Sequence, residues 1–138
     1  MLPSTREPIV LTSAHCTMTI TRLGAHTILV LISGLDVGEL GSRPFDVLAG
    51  LLAGSEPSEL FIDARDARGP SVDVSAQWAG WLREERARFS HVNMLTRSRF
   101  VQLTADFVQR FAELGGKMRI FTDPAAFDTA LELMLRSD

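Results

Sequence analysis

Residues 61–75 read FIDARDARGPSVDVS. This stretch joins an apolar run to a Gly-Pro pair and then to serines and acids spaced as at the start of a helix. Upstream, ELFIDA at 59–64 has the continuous apolar character of a short strand buried on both faces of a parallel sheet. Downstream, apolar residues recur at helical spacing, at Val74, Trp78, Trp81, Leu82 and Phe89. We therefore predict a strand-to-helix junction whose loop is residues 64–73.

Two strands and a helix are predicted before this junction. CTMTITR at 16–22 alternates apolar side chains with threonines, as in a strand with one face in water. HTILVLISG at 26–34 is nearly continuous in apolar residues, and the short link at 23–25 predicts an antiparallel pair. From Pro44 the apolar period becomes helical, and Gly54 offers an end to that helix.

The second half of the chain continues to alternate strands with helices. HVNMLT at 91–96 and KMRIFT at 117–122 are predicted strands. Asp123 as N-cap and Pro124 at the first helical position begin a last helix. Between the two strands, a helical stripe consists of Phe100, Leu103, Phe107, Phe111 and Leu114.

The predicted order is β-β-α-β-α-β-α-β-α, which defines a single-domain α/β fold. Such alternation builds a mostly parallel mixed sheet, here with an antiparallel first edge strand and about four flanking helices. Residues 1–12 are expected to be a loose N-terminal arm, and residues 13–138 the single domain.

Composition limits the classes of function. A chain of 138 residues buries enough surface to fold without a metal or a disulfide, and Cys16 is its only cysteine. The net charge of −3 disfavours general nucleic-acid binding. The first residues lack the pattern of a signal peptide, and the longest apolar run, Ile28 to Ile32, is far short of a membrane span. We expect a cytoplasmic protein with no nucleic-acid binding and no membrane insertion.

Enzyme chemistry has little support in the sequence. His15, His26 and His91 do not form a metal-ligand spacing, so no metal is predicted. No Gly-rich phosphate loop and no Gly-x-Ser-x-Gly elbow is present. Trp78 and Trp81 lie on one helical stripe and are interpreted as core. We therefore predict no catalytic residue and no cofactor.

Binding sites in open α/β sheets lie beyond the carboxyl ends of the parallel strands. Residues 64–73, TRSR at 96–99, and the pair Thr122 and Asp123 are expected to meet there. TRSR is the strongest candidate for anion or ligand binding, because helix N-terminal amides and arginines both favour negative charge. Its residues are Thr96, Arg97, Ser98 and Arg99. The alternative is that Ser98 caps a helix while the arginines lie on the surface or pair with Asp66.

The order of elements resembles the STAS domain family, which includes anti-sigma-factor antagonists and domains attached to sulfate transporters. The resemblance is carried by LFIDARD at 60–66, by the long helix after it, and by GGKMRIFTDPAAFDTALELML at 115–135. These look most like the SpoIIAA-like branch of the family, and the match spans roughly residues 16–136.

The resemblance implies a switch at the junction. In the family's switch members, an Asp-Ser-Ser-Gly turn opens the second helix, and a partner kinase phosphorylates one of its serines. Here the corresponding stretch, ARGPSVDVS at 67–75, has no such serine pair, and Ser71 is the nearest candidate for the modified hydroxyl. The candidate phosphosite or partner surface comprises Ser71, Ser75, Asp63, Asp66 and Asp73. The plain alternative is that Ser71 or Asp73 is an N-cap and that Asp63 is structural.

By this resemblance the protein is a non-catalytic regulatory module that binds a protein partner of the regulatory kinase or sigma-regulator type. Two other functions stay open. One is a small-molecule or lipid-binding domain, whose Leu- and Phe-rich helices would leave a cavity. The other is a self-assembling scaffold, such as a homodimer.

Overall fold

The computed structural model of the chain describes residues 7–54, 56–97, 99 and 114–138. Within these residues, six strands form one sheet in sequence order. The strands are β1 (Ile9–Thr12), β2 (Cys16–Gly24), β3 (Thr27–Asp36), β4 (Ser58–Pro70), β5 (Phe89–Leu95) and β6 (Met118–Phe121). The helices are α1 (Arg43–Leu52), α2 (Val72–Glu84) and α3 (Pro124–Ser137). The helix predicted from Phe100, including Phe107, lies outside the described residues except for Leu114.

The sheet is mixed, as predicted. β1, β2 and β3 are antiparallel neighbours, whereas β3, β4, β5 and β6 are parallel. The strands β4, β5 and β6 each pair with the strand that precedes them in the chain, and each is added on the same side of the sheet. Right-handed crossovers between such strands place their helices on one face of the sheet. α1 and α2 accordingly share one core cluster, and α3 packs in a separate cluster on the other face.

The larger core lies between the sheet and the helices α1 and α2. Apolar side chains of β2, β3 and β4 alternate into it and are almost fully buried, as are Leu48 of α1 and Leu82 of α2. The ring of Phe45 lies 4.9 Å from that of Trp78 and 5.5 Å from that of Trp81, between centroids. This packing confirms that the two tryptophans are core residues.

The smaller core lies under α3, on the opposite face. Phe127 is 1% exposed, and its ring centroid lies 5.6 Å from Phe61 and 5.7 Å from Phe121. Asp123 caps the helix by accepting a hydrogen bond of 3.2 Å from the amide of Ala125, and Pro124 follows it. The predicted start of the last helix is therefore confirmed.

The start of the sheet and the end of α2 both differ from the predicted boundaries. Residues 9–12 belong to the sheet rather than to a loose arm, because β1 pairs with the outer edge of β2 and buries Leu11 against the core. β2 is thus an interior strand. α2 ends at Glu84, and Phe89, which was assigned to the helical stripe, begins β5 and is 1% exposed. The 3₁₀ turn Arg86–Arg88 separates the two elements.

The junction itself also differs from prediction. The apolar strand predicted at 59–64 continues to Pro70, so most of the expected loop at 64–73 is strand. The reason is non-local, since β3 extends to Asp36 and offers backbone partners to this segment. Ser33 pairs with Asp66, and Asp36 pairs with Pro70. A Gly-Pro pair that signals a turn locally is held extended by the neighbouring strand.

Candidate functional site

Ser71 is the N-cap of α2. Its hydroxyl accepts a hydrogen bond of 3.2 Å from the amide of Val74, and its own amide donates one of 2.9 Å to the carbonyl of Asp36. The first contact satisfies a helix N-terminal amide and the second ties the cap to the end of β3. These contacts confirm the N-cap interpretation of Ser71. Asp73 is exposed in the first turn, where a negative charge is favourable to the helix dipole.

The end of β3 supports this cap, and sequence reasoning did not identify it. Asp36 is 8% exposed, and its side chain accepts a hydrogen bond of 3.1 Å from the amide of Gly38. Gly38 has a φ of 94°, which favours glycine. The start of α2 is therefore built on an ordered turn that follows β3. The available signal was the Asp-x-Gly pattern at 36–38, which is typical of a side-chain-bonded turn.

Asp63 and Arg65 form a link from β4 to α3. Arg65 Nε donates to both carboxylate oxygens of Asp63 at 3.0 Å, and Arg65 Nη2 donates to Asp128 at 2.8 Å. The hydrogen bonds that Arg65 donates to Asp63 and then to Asp128 raise the pKa of its guanidinium above the usual range. The Asp63 side chain is only 12% exposed. Its carboxylate is thus already paired with a cation and holds the start of α3 against the sheet.

Asp66 lies apart from the Ser71 cap. With Asp63, it borders a shallow depression on the open part of the sheet, beside Thr17, Thr19 and Ser33. Ser71 is five residues further along the chain, which in extended backbone is roughly 16 Å. The predicted single cluster is therefore divided into Asp63 with Asp66 on the sheet face and Ser71 with Asp73 at the helix start. Ser75 lies within α2.

The TRSR segment is only partly available for binding. Thr96 is 1% exposed, and its amide donates a hydrogen bond of 3.0 Å to the carbonyl of Phe121. Thr96 is thus buried next to β6, and its role as a ligand contact stays a prediction. Arg97 and Arg99 are exposed, and Ser98 lies outside the described residues.

A second polar cluster lies at the opposite end of the parallel strands. Glu59 is buried, its side chain 7% exposed, and its carboxylate accepts hydrogen bonds of 3.0 Å from His91 Nδ1 and from Arg119 Nη2. Sequence reasoning missed this cluster, because its members are 32 and 60 residues from Glu59 along the chain. The groups come together through strand pairing alone.

Reactive and metal-binding groups are few in the part of the chain that the structure describes. Within it, no three His, Cys, Asp or Glu side chains come together as a metal site. Burial, with smaller contributions from Asp36 and Glu39, raises the pKa of the Cys16 thiol to about 11, so the thiol stays protonated at neutral pH. No helix in the described ranges is long and apolar enough to cross a membrane.

The arrangement of strands and helices defines the class of fold. The six strands of the mixed sheet lie side by side in chain order. The helices α1 and α2 pack on one face and α3 on the other, and a capped helix begins at the carboxyl end of β4. The same arrangement is the SpoIIAA-like fold named for a similar solved structure. Neither a protein-family model nor a curated protein matches the sequence.

Solved structures have the same fold across most of the chain. An uncharacterized protein of the DUF3478 family from Shewanella loihica PV-4, which has a SpoIIAA-like fold, is 17% identical with a TM-score of 0.63 and covers 88% of this chain and 98% of its own. The anti-sigma factor antagonist SpoIIAA, in its unphosphorylated form, is 15% identical with a TM-score of 0.59 and covers 82% and 95%. An anti-sigma factor antagonist from Mycobacterium paratuberculosis is 12% identical with a TM-score of 0.55 and covers 88% and 99%. These similarities establish the fold.

Proposed function

We propose that this protein is a non-catalytic regulatory module that binds a protein partner through the start of α2. The observation that carries the proposal is the position of Ser71, which caps α2 directly beyond β4. Two of the solved structures with this fold are anti-sigma factor antagonists. We call the contact region the α2-start surface, and it comprises Arg68, Ser71, Asp73, Arg97 and Arg99.

The chemistry of this surface suits a switch based on negative charge. Helix N-terminal amides and the helix dipole favour an anion at Ser71. Exposed Arg68 lies near the carboxyl end of β4, and exposed Arg97 and Arg99 follow the carboxyl end of the adjacent strand β5. Arginine binds phosphate through two parallel hydrogen bonds. A phosphoryl group on Ser71 would place negatively charged oxygens at the helix start, where the neutral hydroxyl now accepts a hydrogen bond from the amide of Val74. The partner class that fits this chemistry is a regulatory kinase or a sigma-factor regulator.

Two side chains that could act in catalysis have structural roles here. The Cys16 thiol is buried with a raised pKa, and the Asp63 carboxylate is paired with Arg65. Neither group is placed to act as a general base or nucleophile on a bound substrate, because each is already committed to packing or pairing.

The test is a pull-down from lysate of the source organism, with and without ATP, read by mass spectrometry. The baits are the wild-type protein, Ser71→Asp and Arg97→Glu. Arg86→Glu is the matched control, because Arg86 is exposed in the 3₁₀ turn before β5, at the other end of the parallel strands. Ser71→Asp retains an N-cap acceptor while adding charge.

We expect one or more regulatory proteins to be retained by the wild type and by Arg86→Glu, and lost from Ser71→Asp and Arg97→Glu. Phosphate on the Ser71 residue of the wild-type bait in the ATP sample would support the switch directly. Equal retention by all four baits would contradict the assigned surface. Recovery of the bait alone, unmodified, would contradict the regulatory function and favour ligand binding or self-assembly.

A further inference from the structure

The half of the sheet that α3 leaves open carries two ordered rows of side chains across β1 to β4. Strand pairing aligns Val10, Thr19, Leu31 and Asp63 in one row. The second row is Thr12, Thr17, Ser33 and Asp66. We call this region the open sheet face. At neighbouring strand spacings of about 4.8 Å, each row is about 14 Å wide.

The open sheet face exposes apolar side chains in its first row. Leu31 is 42% exposed and Val10 is 56% exposed, although both lie in strands of a folded sheet. Between β2 and β4 the face sinks into a depression of about 240 Å³. α3 covers the other half of the same face and packs on Leu29, the residue two positions before Leu31. Leu31 therefore lies just outside the area of the sheet that α3 covers.

A β-bulge places two carboxylates on this face. Asp63 and Asp66 are three residues apart, and in a regular strand they would point to opposite faces. The register between β3 and β4 shifts between Leu31 and Ser33, so Asp63 pairs with Leu31 while Asp66 pairs with Ser33. Both acids consequently border the depression. Bulges that redirect a side chain in this way are commonly functional features.

The charge at the β4 end of the rows is negative. The carboxylates there are those of Asp63, Asp66 and Asp128, and the guanidinium of Arg65 already bonds to Asp63 and Asp128. Asp128 is 58% exposed. The open sheet face therefore presents leucine, valine and threonines beside three carboxylates, of which that of Asp66 has no bond to Arg65.

We propose that the open sheet face binds a basic amphipathic helix of a partner protein. An α-helix with its side chains is about 10–12 Å across, which suits rows of about 14 Å, and the helix would lie beside α3. Its apolar stripe covers Leu31 and Val10, and lysines or arginines along one side of that stripe face Asp63, Asp66 and Asp128. A second copy of this chain packed through the same face offers no basic side chain among the residues of the two rows, so charge complementarity favours a basic partner.

This interaction is separate from the α2-start surface, since α2 packs on the other face of the sheet. A partner helix on the open sheet face leaves Ser71 and Arg97 uncovered. Loss of binding at one surface therefore has no direct effect on contacts at the other.

The experiment measures the binding of a synthetic peptide by fluorescence anisotropy with the full chain. The peptide has about 18 residues, or ~27 Å as a helix, with leucines at helical spacing and lysines beside them. The control peptide carries glutamates in place of the lysines. Asp66→Lys is compared with Glu84→Lys, which makes the same charge change on exposed α2. Leu31→Ser is compared with Leu133→Ser, since Leu133 is also exposed, at 56%, and lies outside the depression.

We expect saturable binding of the lysine peptide, weakened about tenfold or more by Asp66→Lys and within about twofold of wild type in Glu84→Lys. Leu31→Ser should also weaken binding, and Leu133→Ser should not. If Asp66→Lys fails to fold, Asp66→Asn replaces it with a smaller loss in the same direction. The proposal is overturned if the lysine peptide does not bind saturably, if the glutamate peptide binds as well, or if each variant and its control lose affinity equally. A dimer in light scattering that Leu31→Ser dissociates would overturn it in favour of a second copy.

Discussion

The hydroxyl of Thr27 donates a hydrogen bond of 2.7 Å to the carboxylate of Asp138, joining the start of β3 to the residue that follows α3. The amide of His26 donates to the same carboxylate at 2.8 Å, and the Asp138 side chain is only 1% exposed. α3 is thus fixed to the sheet at both ends, because Arg65 holds Asp128 near its start.

The first prediction concerns Gly24, which faces this carboxylate. A Cβ on Gly24 would overlap Asp138 Oδ2, so Gly24→Ala must displace a side chain that is bonded to Thr27 and His26. We expect Gly24→Ala to lower the free energy of unfolding by about 1–3 kcal/mol, measured with urea.

The coupling is tested by a double-mutant cycle. In an Asp138→Ala background the obstructing carboxylate is absent, and Gly24→Ala should lower the free energy of unfolding by much less. Equal costs in both backgrounds would mean that the two residues do not interact. Glu132→Ala, at an exposed position of α3, is the control and should leave the cost of Gly24→Ala unchanged.

The second prediction is a pH dependence. Burial alone would raise the pKa of the Asp138 carboxyl, but hydrogen bonds from Thr27 and then His26 outweigh it, and the pKa is lowered. A carboxyl whose pKa is lower in the folded protein stabilises it above its unfolded pKa of about 3.9, and this stabilisation is lost as the pH falls through the folded pKa.

The measurement compares the wild type with Asp138→Asn in urea at about pH 5 and at about pH 2.5, a range below the ordinary titration of histidine. The wild type should be the more stable protein at the higher pH, and the difference should shrink at the lower one. A difference that grows on acidification would contradict the assigned direction of the pKa shift.

How far the sequence predicts this structure depends on whether a signal is local. The alternation in CTMTITR, the spacing of Trp78 and Trp81, and the Asp123–Pro124 helix start are local patterns, and each is confirmed. Ile9–Thr12 is too short to show a period, and it becomes strand only because β2 offers an edge. The Gly69–Pro70 pair was misread for the same reason, since β3 supplies the pairing that extends β4.

The site was predictable in part. The position of Ser71 at a helix start follows from its neighbours in sequence, so its cap could be predicted. The contact of Ser71 with Asp36 and the Glu59 cluster depend on which strands lie side by side, which no local pattern encodes. The separation of Asp66 from Ser71 depends on the extended course of β4, whereas the turn signals in that segment predict a loop.

The third prediction concerns the smaller core. Phe127 is almost fully buried between Phe61 and Phe121, so Phe127→Ala removes a ring that both neighbours contact. We expect a loss of about 3–5 kcal/mol in the free energy of unfolding. Leu133→Ala on the exposed side of the same helix should change it by about 0.5 kcal/mol or less. Similar values for the two variants would show that α3 is not packed as described.

The fourth prediction concerns the buried Glu59 carboxylate. Arg119→Ala leaves this carboxylate with His91 as its remaining side-chain partner, and we expect a loss of about 1.5–3 kcal/mol in the free energy of unfolding. In the Glu59→Gln variant the buried charge is absent, so Arg119→Ala should lower the free energy of unfolding by less than it does in the wild type. Arg136→Ala, at an exposed arginine of α3, is the control and should have little effect. Additive effects of Arg119→Ala and Glu59→Gln would contradict direct pairing.

The most direct test of the central claim is to locate the partner on the molecule. A regulatory protein captured in the pull-down is titrated into ¹⁵N-labelled protein, and the backbone amide shifts are followed. We expect the amides of residues 71–74 and of Arg97 to shift, together with that of Gly38 near the cap. Shifts confined to other surfaces, with residues 71–74 unchanged, would contradict the claim that this protein binds its regulatory partner through the start of α2.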